Sequence, residues 1–312
     1  MAKPRILFMG TPAFALPTLE LLHSSNFSVI GVVTQPDRPA GRGQKEICPP
    51  VKLLAQSLGL PVFQSQKVKD QSFLDIFYQL SPEMVIVAAF GQILPECIIE
   101  FPKLGCLNIH PSLLPKYRGA APLNWSIIRG ETKTGVTIML MDEGMDSGDI
   151  LLQQETPLGA TETFGQLHDR LARMGAALLI QAIQQVIAGT ALRHSQDLSA
   201  VTFAPRLTKE TGRINWQQNC TDIVNLIRGL CPNPAAYTFL EGQVLKIFTA
   251  ESKSGKPKEI PGTIGADTSQ CLSVAADDGY VIIKEVQLAG KKRLPINEFL
   301  RGYRLQPETI LQ

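Results

Sequence analysis

The sequence is poor in the residue patterns that build metal centres and disulfide frameworks. Its six cysteines, at positions 48, 97, 106, 220, 231 and 271, form no C-x-x-C pair, and the four histidines give no metal-ligand spacing with them. Cysteines without such spacing are typical of reduced thiols in the cytoplasm rather than of a disulfide scaffold. We therefore expect a cytoplasmic protein that requires no metal.

The sequence also lacks a targeting segment, a membrane span and a strong net charge. The first residues, MAKPRILFMG, lead at once into a strand-like segment, so no signal peptide or anchor is expected. No apolar run approaches the roughly 18 residues that a membrane helix needs, so no membrane partner is expected. A formal net charge of +2 neither requires nor excludes a polyanionic partner.

What the sequence does contain is enough apolar material for two domains. It has 312 residues, 44% hydrophobic and 19% charged, which is too long for one ordinary domain. Over residues 1–189, short apolar runs alternate with helical periods. The predicted strands are 5–10, 28–34, 84–90, 106–110, 134–141 and 149–158, and a long amphipathic helix is predicted over 162–189. This alternation is typical of an α/β domain with a largely parallel sheet.

The pattern changes after a polar stretch at 190–206, which we interpret as a linker. Residues 207–312 begin with a predicted helix at 220–230. Short strands follow at roughly ten-residue spacing, with E-G and D-G turn signals between them. This second pattern predicts a small β barrel or sandwich.

The predicted strand CLNIH ends in two polar residues, Asn108 and His110, and Pro111 stops it. Side chains alternate along a strand, so both point to the same side. Ligands in open α/β sheets bind at the carboxyl ends of strands. On the spacing alone, a turn with its polar groups satisfied and an active site are equally good interpretations.

An acidic segment with two glycines, MDEGMDSGDILL at 141–152, lies between two predicted strands. A calcium loop or a solvated turn is the structural alternative, but the spacing does not match an EF-hand. A carboxylate orients an imidazole, and a carboxamide donates to a developing oxyanion. Asn, His and Asp together suit acyl or formyl transfer to an amine, and no G-x-S-x-G elbow supplies a covalent nucleophile.

The first βα turn argues against a dinucleotide site. Its sequence, GTPAFALP, is not G-x-G-x-x-G, and Pro12 and Phe14 stand where close approach of a pyrophosphate requires small residues. A Rossmann dehydrogenase is therefore the weaker interpretation.

Two basic segments suit a polyanion. The loop TQPDRPAGRGQKEICPPVK at 34–52 is long for a connector inside a domain, and its basic residues are Arg38, Arg42 and Lys45. The tail at 289–306 has one acid, Glu298, against Lys291, Lys292, Arg293, Arg301 and Arg304. Solvent-exposed segments are the simple interpretation, and contacts to nucleic-acid phosphates are the functional one.

Longer stretches of the chain resemble the methionyl-tRNA formyltransferase family. They are GTPAFALPTL, TQPDRPAGRG, AAFGQILP, LNIHPSLLPKYRGAAPLNWSIIRGETKTGVTIMLMDEGMDSGDIL, NPAAYTFLEGQVLKI and DDGYVIIKEVQLAGKKRL. The Asn-x-His and Asp set alone is shared with other 10-formyltetrahydrofolate-dependent formyltransferases, which act on glycinamide ribonucleotide or sugar nucleotides. The TQPDRPAGRG loop, together with a β-rich second domain that ends in a basic tail, narrows the resemblance to the tRNA enzymes.

The resemblance implies a Rossmann-like N-terminal domain, 1–189, that binds 10-formyltetrahydrofolate, and an OB-like C-terminal domain, 207–312, that helps to hold tRNA. The positions matching the family's catalytic residues are Asn108, His110 and Asp146. The implied folate contacts are Ser112, Leu113, Leu114, Pro115, Phe90, Gly91, Ile93 and Leu94. Arg42 matches the loop arginine used against the tRNA acceptor end, and the other expected tRNA contacts are Arg38, Lys45, Lys291, Lys292 and Arg293. Pro111 replaces a glycine found in many members, and since it only removes an N–H and stiffens the turn, activity is still expected.

The implied reaction transfers a formyl group from 10-formyltetrahydrofolate to the free α-amino group of methionyl initiator tRNA, for translation initiation. Asn108 and charged His110 would stabilise the oxyanion, and Asp146 would support the imidazolium and, directly or through a water, take the amine's proton. Two alternatives are a formyltransferase that acts on a small amine and a non-catalytic RNA-binding protein. A monomer is expected because no exposed apolar stripe stands out.

Overall fold

The computed structural model describes residues 3–25, 27–40, 45–265, 271–306 and 309–312. Its contacts divide the chain into two compact units. The first, called the N-terminal unit below, comprises Met1–Gly119, Thr134–Thr156 and His168–Phe203. The second, the C-terminal unit, comprises Ala120–Lys133, Pro157–Leu167 and Ala204–Gln312.

Strands and helices alternate over the first 188 residues, as the sequence predicts. The strands are β1 (Arg5–Gly10), β2 (Ser28–Thr34), β3 (Arg38–Ala40), β4 (Lys45–Ile47), β5 (Val62–Gln64), β6 (Met84–Ala88), β7 (Cys106–His110), β8 (Lys133–Leu140) and β9 (Ile150–Pro157). The helices are α1 (Leu16–Ser24), α2 (Pro50–Ser57), α3 (Gln71–Leu80), α4 (Glu96–Ile99), α5 (Pro122–Ile128) and α6 (Phe164–Ala188).

Seven of these strands form one sheet in the order β5-β2-β1-β6-β7-β8-β9. β2, β1, β6 and β7 run parallel, whereas β8 pairs with β7 in the antiparallel direction. The sheet interior is apolar because the central strands are covered on both faces; Ile6, Leu7, Phe8 and Met9 of β1 are fully buried. The chain leaves β1 first towards β2 and later returns to its other side with β6. The carboxyl ends of β1 and β6 therefore mark the switch point where open α/β sheets bind ligands.

The loop at 34–52 contains more regular structure than the sequence predicts. β3 and β4 pair in an antiparallel hairpin, separate from the main sheet. The loop has four prolines and two glycines, which interrupt any apolar periodicity, so the sequence pattern does not predict these short strands.

The C-terminal unit is built on an antiparallel sheet. Its elements are α7 (Cys220–Leu230), β10 (Ala236–Leu240), β11 (Gln243–Ser254), β12 (Leu272–Ala275), β13 (Gly279–Leu288), β14 (Leu294–Pro295) and α8 (Ile296–Gly302). The strand order is β10-β11-β13-β12, with β14 added to β13. Alternating buried residues of β13, such as Val281 and Ile283, pack with Ile223 and Ile227 of α7 in one apolar core. The predicted fold class, a Rossmann-like α/β domain followed by a smaller β-rich domain, is confirmed.

The compact units differ in places from the predicted domain boundaries. Residues 190–203, expected to begin a linker, belong to the N-terminal unit. One reason is the pairing of His194 with Ile150, in which each backbone N–H donates to the other residue's carbonyl. α5 belongs to the C-terminal unit, where Asn124 Nδ2 donates to the carbonyl of Gly229 at 2.8 Å. The ranges 1–189, 190–206 and 207–312 remain a prediction, with these differences.

In the described part of the chain, α6 is the one helix long and apolar enough to cross a membrane by length and composition. Arg173, Gln181 and Gln184 interrupt its apolar residues, so α6 is not a continuous apolar run, and the absence of a membrane partner stays a prediction. Core helices of soluble proteins pass the same test. Eight apolar residues of α6 are buried: Leu167, Leu171, Ala172, Ala176, Leu178, Leu179, Ala182 and Ile183.

Candidate active site

β7 presents Asn108 and His110 at the carboxyl end of the sheet. Both edges of the strand are paired, in parallel with β6 and in antiparallel with β8, so its backbone is fixed. The apolar residues of the strand are buried from solvent, and this burial raises the pKa of the Cys106 thiol to about 12. The two polar side chains therefore leave an apolar strand from fixed positions.

The two nitrogens of the His110 ring have different partners. Nε2 lies 2.9 Å from the carbonyl oxygen of Tyr117. Because a carbonyl only accepts hydrogen bonds, that contact assigns a hydrogen to Nε2. Nδ1 lies 3.6 Å from Oδ2 of Asp146. The Nδ1 atom can donate a hydrogen bond only when the ring carries both protons, with Asp146 as the counter-charge.

Asn108 is partly exposed, whereas His110 beside it is 3% exposed. Within the described ranges, no protein group hydrogen-bonds to the Asn108 carboxamide. A carboxamide offers two N–H donors and one acceptor oxygen. Asn108 therefore has its hydrogen-bonding groups available to a ligand.

Asp146 reaches His110 from a loop that turns back along the sheet. β8 ends at Leu140, which pairs with Leu107, three residues before His110 on β7. The return is tight: a Cβ at Gly148 would collide with the carbonyl oxygen of Leu140. Asp146 itself has a left-handed backbone, with φ of 49°. Its Oδ2 accepts a hydrogen bond of 2.8 Å from the backbone N–H of Gly119.

Gln196 holds the same loop and is a residue that the sequence reasoning missed. Its Nε2 donates to the carbonyls of Asp146 and Gly148, each at 2.8 Å. Its Oε1 accepts from Nε and Nη2 of Arg118, at 3.1 and 2.7 Å. No sequence signal marks Gln196, because these partners lie between 48 and 78 residues away along the chain.

The predicted folate residues 112–115 follow His110 and are largely packed into the fold. Ser112 is fully buried, and its hydroxyl donates to the carbonyl of Lys116 at 2.6 Å. Leu114 is 3% exposed, and Leu113 and Pro115 are partly exposed. Thr137 of β8 also holds the segment, since its hydroxyl donates to the carbonyl of Ser112 at 2.7 Å. This conformation leaves Leu113 and Pro115 as the members with accessible surface.

The predicted folate residues 90–94 follow the carboxyl end of β6, at the switch point. Thr11 Oγ1 and Gln35 Nε2 donate to the carbonyl of Phe90, at 3.0 and 3.3 Å. Phe90 and Leu94 are buried, whereas Ile93 is 91% exposed. Gly91 is exposed and has a left-handed backbone, with φ of 84°. The segment thus exposes Gly91 and the apolar side chain of Ile93 on a backbone that is held by hydrogen bonds at Phe90.

Two family models match the chain in sequence. The model described as "Formyl transferase" matches residues 4–183, and "Formyl transferase, C-terminal domain" matches residues 206–304. A methionyl-tRNA formyltransferase of Syntrophus aciditrophicus is 53% identical over 311 residues, which is 100% of both chains. One from Geobacter sulfurreducens is 48% identical and covers 100% of this chain and 98% of its own.

The chain belongs to the methionyl-tRNA formyltransferase family. The resemblance expected from the sequence motifs is therefore confirmed, and so is the class of enzyme, a one-carbon group transferase.

Two solved structures with lower sequence identity share the fold. The sugar 3N-formyl transferase WlaRD, solved in the presence of dTDP and 5-N-formyl-THF, has a TM-score of 0.68 at 21% identity. The match covers 94% of this chain and 100% of that one. HypX from Aquifex aeolicus, in complex with tetrahydrofolic acid, has a TM-score of 0.64 at 19% identity, over 96% of this chain and 47% of that one. At these identities the match concerns the fold alone.

Of the basic loop residues expected in this methionyl-tRNA formyltransferase, only some are described. Arg42 lies outside the described residues, and of Lys45 the structure describes the backbone, within β4. Arg38 is exposed on β3, and its Nη2 donates to Oε1 of Gln35 at 3.1 Å. Gln35 in turn contacts the Phe90 carbonyl. The base of the basic loop is thus hydrogen-bonded to the predicted folate segment.

The three predicted tRNA contacts of the C-terminal unit differ from one another. Lys291 and Lys292 are exposed. Arg293 is paired with Glu285, and its guanidinium lies 4.1 Å from the ring centroid of Phe248. Its charge is therefore partly used inside the protein.

Across the described ranges, no group of three or more His, Cys, Asp or Glu side chains is arranged to hold a metal ion. The expectation that no metal is required remains a prediction.

Proposed function

We propose that Asn108, His110 and Asp146 carry out the reaction of this enzyme. The enzyme transfers a formyl group from 10-formyltetrahydrofolate to the free α-amino group of methionyl initiator tRNA. The product is N-formylmethionyl-tRNA, the substrate of translation initiation. 10-formyltetrahydrofolate supplies the formyl group on its N10 atom.

One observation carries the proposal: the Asn108 carboxamide, which has no hydrogen-bond partner among the described residues, stands beside the buried His110 and the partly exposed Asp146. Asn108 has no hydrogen bond to any residue that the structure describes, and His110 Nδ1 lies 3.6 Å from Asp146. A polar side chain left unpaired on an apolar strand is costly unless a ligand or water satisfies it. The Asn108 side chain lies on the same side of β7 as the side chain of His110, because the two residues are two positions apart on one strand.

Asn108 and His110 have donors suited to a developing negative charge. The Asn108 Nδ2 group donates two hydrogens, and the doubly protonated His110 ring donates from Nδ1. Its Nε2 hydrogen is already committed to Tyr117, so the ring orientation is set before the substrate binds. Preorganised donors of this kind stabilise an oxyanion without reorganising during the reaction.

Asp146 has one carboxylate oxygen available for a proton. Oδ2 accepts from Gly119 and faces His110. Within the part of the chain that is described, Oδ1 accepts no hydrogen bond. Oδ1 can therefore accept the proton that the α-amine loses as it bonds to the formyl carbon, directly or through one water. That proton can pass to N10 as the C–N10 bond breaks and tetrahydrofolate leaves.

The switch point of the sheet suits the folate. The Phe90 carbonyl is fixed by Thr11 and Gln35, and Ile93 is 91% exposed beside it. A flat heterocycle can accept apolar contact from such a side chain while its polar edge hydrogen-bonds to the fixed backbone. We assign Phe90, Gly91, Ile93 and Leu94 to one wall of the site, and Ser112, Leu113, Leu114 and Pro115 to the turn after His110.

The remaining assignments concern the partners and the compartment. We assign contacts to the tRNA phosphates to Arg38, Arg42 and Lys45 of the basic loop, and to Lys291, Lys292 and Arg293 of the C-terminal unit. We also propose that the enzyme acts as a monomer in the cytoplasm and has no membrane partner, which agrees with a role in translation.

The direct test is formyl transfer by the purified enzyme. With 10-formyltetrahydrofolate as donor, methionyl initiator tRNA should be formylated on its α-amine, as detected by acid-stable radiolabel or mass shift. Uncharged tRNA and UDP-amino sugars serve as controls and should not react. Formylation of an amino sugar in preference to methionyl-tRNA would contradict the proposal.

A further inference from the structure

Residues 194–203, here called the strap, fasten two parts of the candidate site to each other. At one end His194 pairs with Ile150, where β9 leaves the acidic loop. At the other end Thr202 bonds to the turn after His110: its Oγ1 accepts from the Tyr117 N–H at 2.9 Å, and its carbonyl accepts from the Arg118 N–H at 2.9 Å. The strap thus spans from the Asp146 loop to the turn that supplies the Tyr117 carbonyl.

Gln196 lies in the middle of the strap and uses its whole hydrogen-bonding capacity. A carboxamide has two N–H donors and two acceptor lone pairs. Gln196 donates to Asp146 and Gly148 and accepts twice from Arg118. Four hydrogen bonds from one short side chain fix its position and that of the two carbonyls it contacts.

Arg118 anchors this arrangement from inside the protein. It is 7% exposed, so it is neither a surface residue of the KYRG turn nor a cation available to RNA. Burying a guanidinium is costly unless its donors are satisfied, and Gln196 satisfies two of them. The next residue, Gly119, donates to Asp146 Oδ2. The carboxylate and the carbonyl of Asp146 are therefore both held from the Arg118–Gly119 side.

The Asp146 backbone needs such support. A non-glycine residue in the left-handed region costs on the order of 1–3 kcal/mol and persists where its surroundings hold it there. Asp is among the residues that tolerate this region best. Without the hydrogen bond from Gln196 to its carbonyl, Asp146 keeps the Gly119 contact to its carboxylate but loses a contact that holds its left-handed backbone, and we expect the carboxylate to shift relative to His110.

We propose that Gln196, supported by Arg118, is a positioning residue for the reaction: it holds Asp146 at the distance and angle that pair its carboxylate with His110. The inference rests on the proposed role of Asp146. It assigns a catalytic contribution to a segment outside the Asn-x-His and Asp motifs.

Two substitutions separate positioning from simple folding. Gln196→Ala removes the contacts to Asp146 and Gly148 and leaves Arg118 without its acceptor. Gln196→Glu keeps an acceptor for Arg118 but sets a carboxylate against the two carbonyls, so the protein stays folded while the loop is displaced. For both variants we expect kcat to fall about 10- to 100-fold, the range for a misplaced catalytic group, with little change in KM for either substrate.

Ser195→Ala is the matched control. Ser195 is the neighbouring residue of the strap, and its hydroxyl donates to Asp149 Oδ1 at 3.0 Å, at the exposed surface. Its kcat should stay within about twofold of wild type, as for a surface hydrogen bond of small net value. An equal loss in Ser195→Ala would overturn the specific role of Gln196, as would wild-type kcat in Gln196→Glu.

A double-mutant cycle with Asp146→Asn shows through which residue Gln196 acts. Asparagine keeps the tolerance for a left-handed backbone but loses the charge. If Gln196 acts through Asp146, adding Gln196→Ala to Asp146→Asn should change kcat by less than about twofold, far from additivity. A full further loss would overturn the inference. Wild-type activity of Asp146→Asn alone would instead refute the proposed catalytic role of Asp146, which distinguishes the two failures.

Discussion

At the scale of single residues, the site combines one unsatisfied group with several that are fully satisfied. His110, Asp146 and Gln196 all have protein partners, whereas the Asn108 carboxamide has none among the described residues. Hydrogen-bonded groups are held in place, whereas the Asn108 carboxamide is available to a ligand. Asn108 should therefore contribute to the transition state more than to the fold.

Replacing Asn108 by Ala tests whether its side chain contributes to the transition state rather than to the stability of the fold. We expect kcat to fall by about 10²–10³, the usual loss when one oxyanion donor is removed, with KM for the folate changed little. Thermal stability should be unchanged or slightly higher, because no partner among the described residues loses a hydrogen bond. Steady-state kinetics and a melting curve of the same preparation provide both readouts; a change confined to KM would contradict the assignment.

Single residues also mark the limit of what the sequence can predict. Asn108 and His110 were expected on one side of a strand end, because period-two alternation requires only local geometry. A carboxylate of the acidic segment beside His110 was expected from chemistry, and the family resemblance singled out Asp146. Tyr117, Gly119 and Gln196 complete the site through backbone groups or across tens of residues, and no local pattern records such contacts. For the same reason the burial of Arg118 could not be predicted from a basic, turn-like sequence.

At the scale of secondary structure elements, long apolar runs were predictable and short paired ones were not. Strands 5–10, 28–34 and 106–110 and helix 220–230 have the predicted bounds. The hairpin of β3 and β4 and the two-residue β14 depend on their partners rather than on their own sequence. In β14 that dependence involves charge as well, because Arg293 precedes it and pairs with Glu285 of β13.

The Glu285–Arg293 pair makes a prediction about stability and pH. The hydrogen bond from Arg293 lowers the pKa of Glu285 below its ordinary value of 4.5. A group with a lowered folded-state pKa stabilises the protein above its unfolded pKa and loses that contribution as pH falls through its folded pKa. Glu285→Gln should therefore lower stability at pH 7, by about 1 kcal/mol or less for a partly exposed pair. The difference from wild type should shrink once the pH drops below 4.5.

Thermal melts of the full chain at several pH values measure this difference. Glu251→Gln is the matched control, since Glu251 pairs with Lys284 at 3.0 Å but its side chain is 65% exposed. Its melting temperature should follow that of wild type at every pH. A Glu285→Gln deficit that grows as the solution is acidified would have the wrong sign for this mechanism.

At the scale of the whole molecule, the net charge is small, but positive charge is clustered locally. The net charge is only +2, yet Lys291 and Lys292 are exposed next to each other. A polyanion responds to such local charge, because each phosphate contact releases counterions. Binding of tRNA should then depend on position within the chain and not on the net charge.

The double variant Lys291→Ala/Lys292→Ala tests that dependence. We expect KM for methionyl-tRNA to rise, KM for the folate to stay constant, and the slope of log KM against log salt to fall by about two, one for each lysine. The control Lys253→Ala/Lys256→Ala removes the same charge from two other exposed positions of the C-terminal unit. Equal effects of the two double variants would mean that net charge alone is responsible.

The strap has a consequence for the order in which the enzyme is made. Asp146 and Gln196 are 50 residues apart, and synthesis proceeds from the N-terminus. A nascent chain that has reached residue 189 already contains Asn108, His110, Asp146 and the Gly119 N–H that donates to the Asp146 carboxylate, but none of the strap residues 194–203. The side chains proposed for the reaction are therefore synthesised before the Gln196 contacts that hold the Asp146 loop, and the strap is the last segment of the N-terminal unit to leave the ribosome.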